Sequence, residues 1–334
     1  MLTERYALIA AWVLSAVSLF LVLRLDLLPA LLTGLLVHEL VHLLAPRLPK
    51  QLSGRRSKPA ALVLVVGVAT IAVVAMVLGV VAFFRSDAGD LANLLTRMAA
   101  IIEGLRESVP PWVVDHFPNG VDPIKEAISR WLREHAIEVG GVGKDAGVVM
   151  AHIVVGLIIG AMVSLHELQA GQEYAPLARA LSERAGRLAD AFRRIVFAQV
   201  KISAINAFFT GLYLLAVLPL LGVQLPLVKT MIAVTFIAGL LPIIGNLISN
   251  TVIIVVSFAH SPQVALGSLA FLVSVHKAEY FLNARIVGGE IRAKAWELLL
   301  AMLVMEAAFG LPGVVAAPIF YAYLKDELRT RGLV

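Results

Sequence analysis

The chain has 334 residues, of which 60% are hydrophobic and only 15% charged, and its mean hydropathy is +0.88. A water-soluble domain of ordinary composition is far less apolar, so we predict a polytopic membrane protein. The absence of cysteine excludes disulfides, thiolate metal sites and cysteine nucleophiles. The net charge of +5 comes from basic residues in short loops beside apolar runs. It therefore indicates membrane orientation and does not indicate nucleic-acid binding.

Six apolar runs are predicted to cross the bilayer, because a spanning helix needs about 20 predominantly apolar residues. They comprise residues 6–23, 27–44, 60–84, 146–165, 200–221 and 227–244. The first run is longer than the apolar core of a signal peptide and no small-residue cleavage site follows it, so we expect it to be retained. Four further apolar runs are short for a full crossing: residues 246–259, 263–275, 297–309 and 313–324.

The second predicted span contains the pentapeptide HELVH, residues 38–42, which matches the zinc-binding motif of many metalloproteases. On a helix, His38 and His42 share a face and could bind the metal, while Glu39 could activate water. A third ligand is required, yet every Asp falls in a loop, a span end or a polar helix. Three interpretations remain open: an intramembrane zinc protease, histidines at the cytoplasmic interface, and a role in a solute or proton path.

The distribution of charge predicts how the chain is oriented. Residues 46–60 carry five basic residues and no acid, so this loop should face the cytoplasm. Residues 85–145 carry seven basic and ten acidic residues and should face outward. This insert has two stretches with helical apolar spacing, 90–109 and 121–137, which could pack on each other, on the membrane or on a neighbouring subunit.

A third amphipathic stretch, residues 167–194, is rich in Arg and is predicted to lie on the cytoplasmic side. The predicted organisation therefore places both termini in the cytoplasm. It comprises three membrane helices in 1–84, the extracytoplasmic helical insert in 85–145, a fourth membrane helix and the cytoplasmic helix in 146–200, and a C-terminal membrane bundle in 201–334.

Pro and Gly interrupt apolar sequence twice in the C-terminal half, at residues 239–245 (GLLPIIG) and 310–313 (GLPG). Paired interruptions of this kind are typical of discontinuous helices and re-entrant hairpins in transporters, because backbone groups freed in lipid must line a cavity or be buried in protein. A pair of ordinary helix kinks is the alternative. We predict an all-α transmembrane bundle with interrupted or re-entrant helices in its C-terminal half.

Polar side chains within the membrane are costly, so each is a candidate for function, although pairing with a neighbouring helix is the usual alternative. Glu306 lies one turn before the second interruption and could carry a proton or bind a cation; its alternative is an ion pair with Lys277 or Arg285. The other candidates are Asn206, Asn246, Asn250, His276, Glu279 and Asn283.

Three short segments carry a resemblance to a known family: residues 242–246 (PIIGN), 279–288 (EYFLNARIVG) and 306–313 (EAAFGLPG), followed by Ala317 and Pro318. Together with the order of spans and insert, they resemble the autoinducer-2 exporter family of bacterial membrane proteins over nearly the whole chain. The sequence departs from the family where Asn246 replaces a frequent Pro. It departs again in residues 279–288, where an Asp-Asn pair and a Pro are frequent.

The resemblance implies a secondary-type transporter of the bacterial inner membrane. Some members are described as exporting the quorum-sensing signal autoinducer-2 and others as sodium or lithium/proton antiporters, and substrate does not transfer with the fold. It also implies homo-oligomers, with the pentamer as the expected form. The metal chemistry of HELVH is not expected in this family.

The resulting hypothesis is a non-enzymatic transporter that exports a small polar solute by alternating access, with proton or sodium coupling. The alternatives are a sodium (lithium)/proton antiporter, a zinc metalloprotease using His38, Glu39 and His42, and a non-transporting membrane scaffold whose outer helices bind a partner. We expect no cofactor and no nucleic-acid partner; the partners are the solute, the coupling ion and the bilayer. The predicted pathway residues are Pro242, Gly245, Asn246, Asn250, Glu279, Asn283, Glu306, Gly310, Gly313 and Pro318.

Overall fold

The computed structural model describes residues 2–45, 58–84, 86, 91–104, 126–134, 146–169, 174–241, 244–286 and 294–333. In these ranges all regular secondary structure is helical, which confirms the predicted all-α fold. The helices are α1 (Leu2–Arg24), α2 (Leu28–Leu44), α3 (Lys58–Phe84), α4 (Leu91–Gly104), α5 (126–134), α6 (Ala146–Gln169), α7 (Pro176–Leu212), α8 (Val228–Gly239), α9 (Ile244–His260), α10 (Pro262–Ile286) and α11 (Ala295–Thr330). A π-helical turn, Tyr213–Val217, extends α7 into a last helical turn, Leu218–Leu220.

Five of the described helices are long and apolar enough to cross a membrane, and α2, α8 and α9 are shorter apolar helices. From Pro176 onward, the predicted amphipathic stretch is continuous with the fifth predicted span in one helix, α7, because residues 187–210 contain no Pro or Gly. Residues 167–169 of that stretch belong to α6. The sixth predicted span ends early: α8 stops at Gly239, and a new helix begins at Ile244. The last two apolar runs join in α11 across a break at Gly310.

The structure divides into two compact units. The first unit contains Met1–Gly79, Ala146–Val196 and Glu290–Val334, and the second contains Val80–Asp145 and Phe197–Gly289. Two of the boundaries between these sets of residues fall inside helices, one within α3 and one within α7.

Close contact between α2 and α6 organises the first unit. Gly156 and Gly160, one turn apart on α6, lie against the backbone of Ala30 and Gly34 on α2. A Cβ atom at Gly156 would lie 2.2 Å from the Ala30 carbonyl oxygen, and one at Gly160 would lie 2.5 Å from that of Gly34. Small residues at this spacing let two membrane helices approach until their backbones touch, which maximises van der Waals contact where lipid offers no hydrophobic driving force.

A charged cluster lies buried where α7 meets the end of α11, within the first unit. The Glu327 carboxylate accepts hydrogen bonds from Arg187 Nη1 at 2.7 Å and from Trp12 Nε1 at 3.2 Å. Arg184, only 1% exposed, lies 3.8 Å from the same carboxylate oxygen and donates from Nη1 to the Ala180 carbonyl oxygen at 2.5 Å. One carboxylate therefore faces two guanidinium groups, and the cluster carries a net positive charge.

The second unit joins the insert to membrane helices. Its core includes Leu94 and Met98 of α4 together with Met231 of α8 and Ile253 of α9. The two insert helices also contact each other, because Arg133 of α5 binds Glu103 of α4 through two hydrogen bonds of 3.2 and 2.6 Å. The two insert helices thus pack on each other, which is one of the arrangements left open by the sequence, and α4 also packs on α8 and α9 of its own unit.

Replacing Gly160 with Ala should destabilise the protein, because the added Cβ would collide with the Gly34 carbonyl group. Overpacking of this kind costs about 1–3 kcal/mol. Gly147→Ala on the same helix is the matched control, since its Cβ would enter open space. Thermal unfolding in detergent should show a lower midpoint for Gly160→Ala only. Equal midpoints for the two variants would contradict this account of the α2–α6 contact.

Replacing Glu327 with Gln should also destabilise the protein, because it leaves Arg184 buried without a counter-charge. Removing one partner of a buried pair costs about 3–5 kcal/mol. Glu126→Gln removes the partner of Arg130 from an exposed pair on α5 and should leave the unfolding midpoint unchanged. An unfolding midpoint for Glu327→Gln as high as that of the control would show that the charged cluster contributes little to the stability of the protein.

Candidate functional site

A stripe of polar side chains follows one face of α7 within the second unit. Gln199, Ser203, Asn206, Thr210 and Tyr213 are spaced four, three, four and three residues apart, which keeps them on the same side of a helix. All except Gln199 are buried, and Gln199 is half-buried. We call these five residues the α7 stripe. The sequence already contains this stripe as polar residues at helical spacing, but only Asn206 among the five was predicted as a candidate.

The α7 stripe is hydrogen-bonded to the last turn of α8, just before the chain turns towards α9. Gln199 Nε2 donates to the Gly239 carbonyl oxygen at 2.5 Å, and Ser203 Oγ donates to the Phe236 carbonyl oxygen. These carbonyl groups lie in the last turn of α8, where helical donors run out. Side chains of α7 therefore satisfy backbone groups that the interruption of the sixth predicted span leaves exposed.

The two asparagines predicted after this turn both lie on α9. Asn246 and Asn250 are half-buried and one helical turn apart, and Asn206 Nδ2 donates to Asn246 Oδ1 over a long distance of 3.4 Å. Gly245 closes the turn: a Cβ atom there would lie 1.9 Å from the Ala238 carbonyl oxygen. Pro242, also predicted, lies outside the described residues.

Beyond Asn206 the stripe ends in a cluster of buried hydroxyl groups that sequence reasoning missed. Tyr213 Oη and Ser268 Oγ are 3.0 Å apart, and Ser268 Oγ is 2.7 Å from Ser257 Oγ. The Tyr213 ring stacks on Phe271 with ring centroids 4.0 Å apart. Because Ser257 and Ser268 come from α9 and α10, the cluster depends on helix pairing that no local pattern reveals.

Two further predicted residues, Glu279 and Asn283, belong to α10. Together with Gly245, Asn246 and Asn250 they are part of the second unit. The structure brings Asn246 into contact with the α7 stripe.

The other predicted pathway residues lie on α11, in the first unit. Gly310 interrupts this helix with φ 61° and ψ −145°, a combination that is essentially restricted to glycine. A Cβ atom at Gly313 would lie 2.0 Å from the Met305 carbonyl oxygen, so the chain folds tightly around the break. Glu306, one turn earlier, is exposed on the surface of the chain, whereas Pro318 is buried.

The two histidines of HELVH lie on α2 in the first unit, and the structure supplies the partner that the sequence lacked. Glu167, near the end of α6, places its carboxylate 2.8 Å from His38 Nε2 and 3.5 Å from His42 Nε2. Sequence reasoning looked for an Asp in another membrane segment. It missed Glu167 because the contact between α2 and α6 cannot be read from either helix alone.

The comparisons with known proteins now bear on this architecture. A family model described as AI-2E family transporter matches residues 7–330, nearly the whole chain. No curated protein and no solved structure gives a significant match. A family of transporters agrees with the apolar helices, and it favours the transporter hypothesis over the zinc metalloprotease. The resemblance read from the C-terminal segments is confirmed, and the chain belongs to the AI-2E family of membrane transporters.

Proposed function

We propose that this transporter exports a small polar solute of the autoinducer-2 type across the bacterial inner membrane by alternating access. The observation that carries the proposal is the α7 stripe and its hydrogen bonds to the α8–α9 turn. A polar solute that leaves water loses hydrogen bonds worth several kcal/mol unless the protein replaces them. Buried amide and hydroxyl groups can both donate and accept, which suits a solute bearing hydroxyl or carbonyl groups.

The dimensions of α8 and α9 support a re-entrant hairpin. At 1.5 Å per residue, the 12 residues of α8 extend about 18 Å and the 17 residues of α9 about 26 Å. The hydrocarbon core is about 30 Å thick, so neither helix crosses it unless the bilayer becomes locally thinner. In the proposal the hairpin enters and leaves on the same side, and its turn reaches the α7 stripe inside the membrane.

The hydrogen bond between Asn206 and Asn246 is the one proposed to break when the solute site changes the side of the membrane to which it is open. At 3.4 Å, the bond between Asn206 and Asn246 is longer than a normal N–H···O hydrogen bond. A solute hydroxyl group can replace it by bonding both amides at once. In the proposed cycle the hairpin turn then moves relative to Asn206, while Gln199 and Ser203 re-form their carbonyl bonds after release.

Glu306 is the proposed site of coupling to a proton or sodium ion, with Glu279 as the second candidate. A carboxylate exposed on an apolar membrane helix is costly in lipid, by about 2.5–3.5 kcal/mol or more for a charged residue at the helix centre. We therefore propose that Glu306 faces a water-filled cavity or a neighbouring subunit of a homo-oligomer. The break at Gly310 would let the half of α11 that carries Glu306 tilt independently.

The direct test is solute flux in proteoliposomes that contain the purified chain. Trapped autoinducer-2 and a size-matched set of neutral polyols should leave protein-containing vesicles faster than protein-free ones. A pH-sensitive dye in the same vesicles reports proton movement when sodium or lithium is added. Cation–proton exchange without solute flux would replace export with the antiporter alternative, and absence of both would contradict the proposal.

Replacing Glu306 with Gln should abolish transport without preventing membrane insertion, because the amide cannot bind and release a proton. Glu134→Gln, on the exposed face of α5, is the control and should transport normally. Flux is measured at equal amounts of reconstituted protein. Normal flux through Glu306→Gln would remove this residue from the mechanism.

Replacing Gly310 with Ala should slow transport by about tenfold or more, because φ 61° and ψ −145° cost an alanine about 1–3 kcal/mol. The Cβ itself would meet open space, so the effect is conformational and not a collision. Gly147→Ala, also in open space but on a regular helix, should leave the rate unchanged. Unaltered flux in Gly310→Ala would show that the break is not needed for the cycle.

A further inference from the structure

Three potential metal ligands converge where α2 and α6 lie side by side. The rings of His38 and His42 are 4.1 Å apart between centroids, and the Glu167 carboxylate approaches the Nε2 atoms of both. The ligand atoms of the three residues all lie within 4.8 Å of one another. Two imidazoles and one carboxylate from two helices form a common zinc-binding donor set.

The hydrogen bonding of His42 prepares its Nε2 atom for a cation. His42 Nδ1 lies 2.9 Å from the His38 carbonyl oxygen, and a carbonyl can only accept, so Nδ1 carries the proton. In the neutral ring, Nε2 then presents a lone pair. That lone pair faces a carboxylate oxygen at 3.5 Å, so two acceptors oppose each other with room for a positive ion between them. An outer hydrogen bond from Nδ1–H to a carbonyl is the usual way in which a metal-binding histidine is oriented.

His38 has a second feature that points to a ligand. Its Nδ1 atom is buried and has no hydrogen-bond partner within the described part of the chain. The nearest carboxylate oxygen is Glu39 Oε1, at 3.9 Å. In the present arrangement His38 donates from Nε2 to Glu167 at 2.8 Å. If a metal took Nε2, the ring proton would move to Nδ1, and the Glu39 carboxylate would have to approach by about 1 Å to accept it.

The three residues can be reached from outside. The side chains of His38, His42 and Glu167 are 17%, 38% and 40% exposed. His38 and Glu167 also line a largely apolar pocket of about 310 Å³ within the first unit, between α2, α6 and α7. A hydrated ion therefore has a path to the ligands and space for a bound water molecule.

We propose that His38, His42 and Glu167 form a Zn²⁺ site that fastens α2 to α6. Zinc would take Nε2 of both histidines, one carboxylate oxygen and a water molecule. Ligand atoms of one tetrahedral zinc ion lie about 3.3 Å apart, so Glu167 has to withdraw from His38 by about half an ångström. Its exposed side chain near the end of α6 permits this movement.

The site is structural and not proteolytic. In a metalloprotease the Glu of the motif activates the zinc-bound water. Here Glu39 is buried, only 4% exposed, and lies 3.8 Å from Arg193, so it serves as an acceptor behind His38. The proposal is independent of the transported solute, because none of these residues belongs to the α7 stripe.

Zinc content of the purified full chain tests the proposal. After chelator treatment, dialysis against micromolar zinc and removal of free metal, the unmodified protein should retain about one zinc per chain. His38→Ala, His42→Ala and Glu167→Gln should lose it. His166→Ala, which alters an exposed histidine beside Glu167, should retain it. No retained zinc in the unmodified protein, or equal zinc in the three ligand variants, would overturn the proposal.

A measurement on the unmodified protein covers the case in which the ligand variants fail to fold. Co²⁺ added to the chelator-treated chain should give the intense visible bands of tetrahedral coordination, and these should disappear when zinc displaces it. Weak bands of six-coordinate Co²⁺ would overturn the proposed ligand set. Glu39→Met should keep the site but weaken zinc binding by about 10–100-fold, the usual effect of removing an outer hydrogen-bond acceptor.

Discussion

The constraint on which this structure depends is that lipid cannot hydrogen-bond to the backbone. Each peptide group within the membrane must therefore find a partner inside the protein, which is why the described residues form helices. The same constraint governs the places where helices stop. The carbonyl groups of Phe236 and Gly239 lie at the end of α8, and Ser203 and Gln199 of α7 donate to them. An interrupted helix is thus stable because another helix carries the missing donors.

The fold and the candidate site differ in how far sequence could predict them. Apolar runs and the interruptions around residues 239–245 and 310–313 are local signals, and helices end or break there. Partnerships between helices are not local. Arg184 looked like part of a solvated cytoplasmic face, yet it is buried beside Glu327, and Glu167 was not connected with HELVH. Both depend on which helices pack together, and between α2 and α6 the contact is made at small residues, Gly156 and Gly160.

Polar groups and glycines have complementary roles in these units. Where backbones touch, as between Gly160 and Gly34, close packing helps to hold the two helices together. Where a helix is interrupted or a charge is buried, specific hydrogen-bond donors are needed. Fewer residue types can therefore replace the side chains at those positions. Helices α2 and α6 show both cases, since they share the glycine contact and also bring His38, His42 and Glu167 together.

The π-helical turn at Tyr213–Val217 changes which residues at the end of α7 face the protein interior. Regular helical spacing from Gln199 through Tyr213 would next put Val217 on the α7 stripe, but Val217 is 41% exposed and Leu218 is 3% exposed. This segment contains one residue more than an α-helical turn. The side chains that follow it are therefore rotated by about 100° around the helix axis. A single helix can therefore present hydrogen-bonding groups up to Tyr213 and an apolar contact at Leu218, with Tyr213 and Leu218 in the same core cluster.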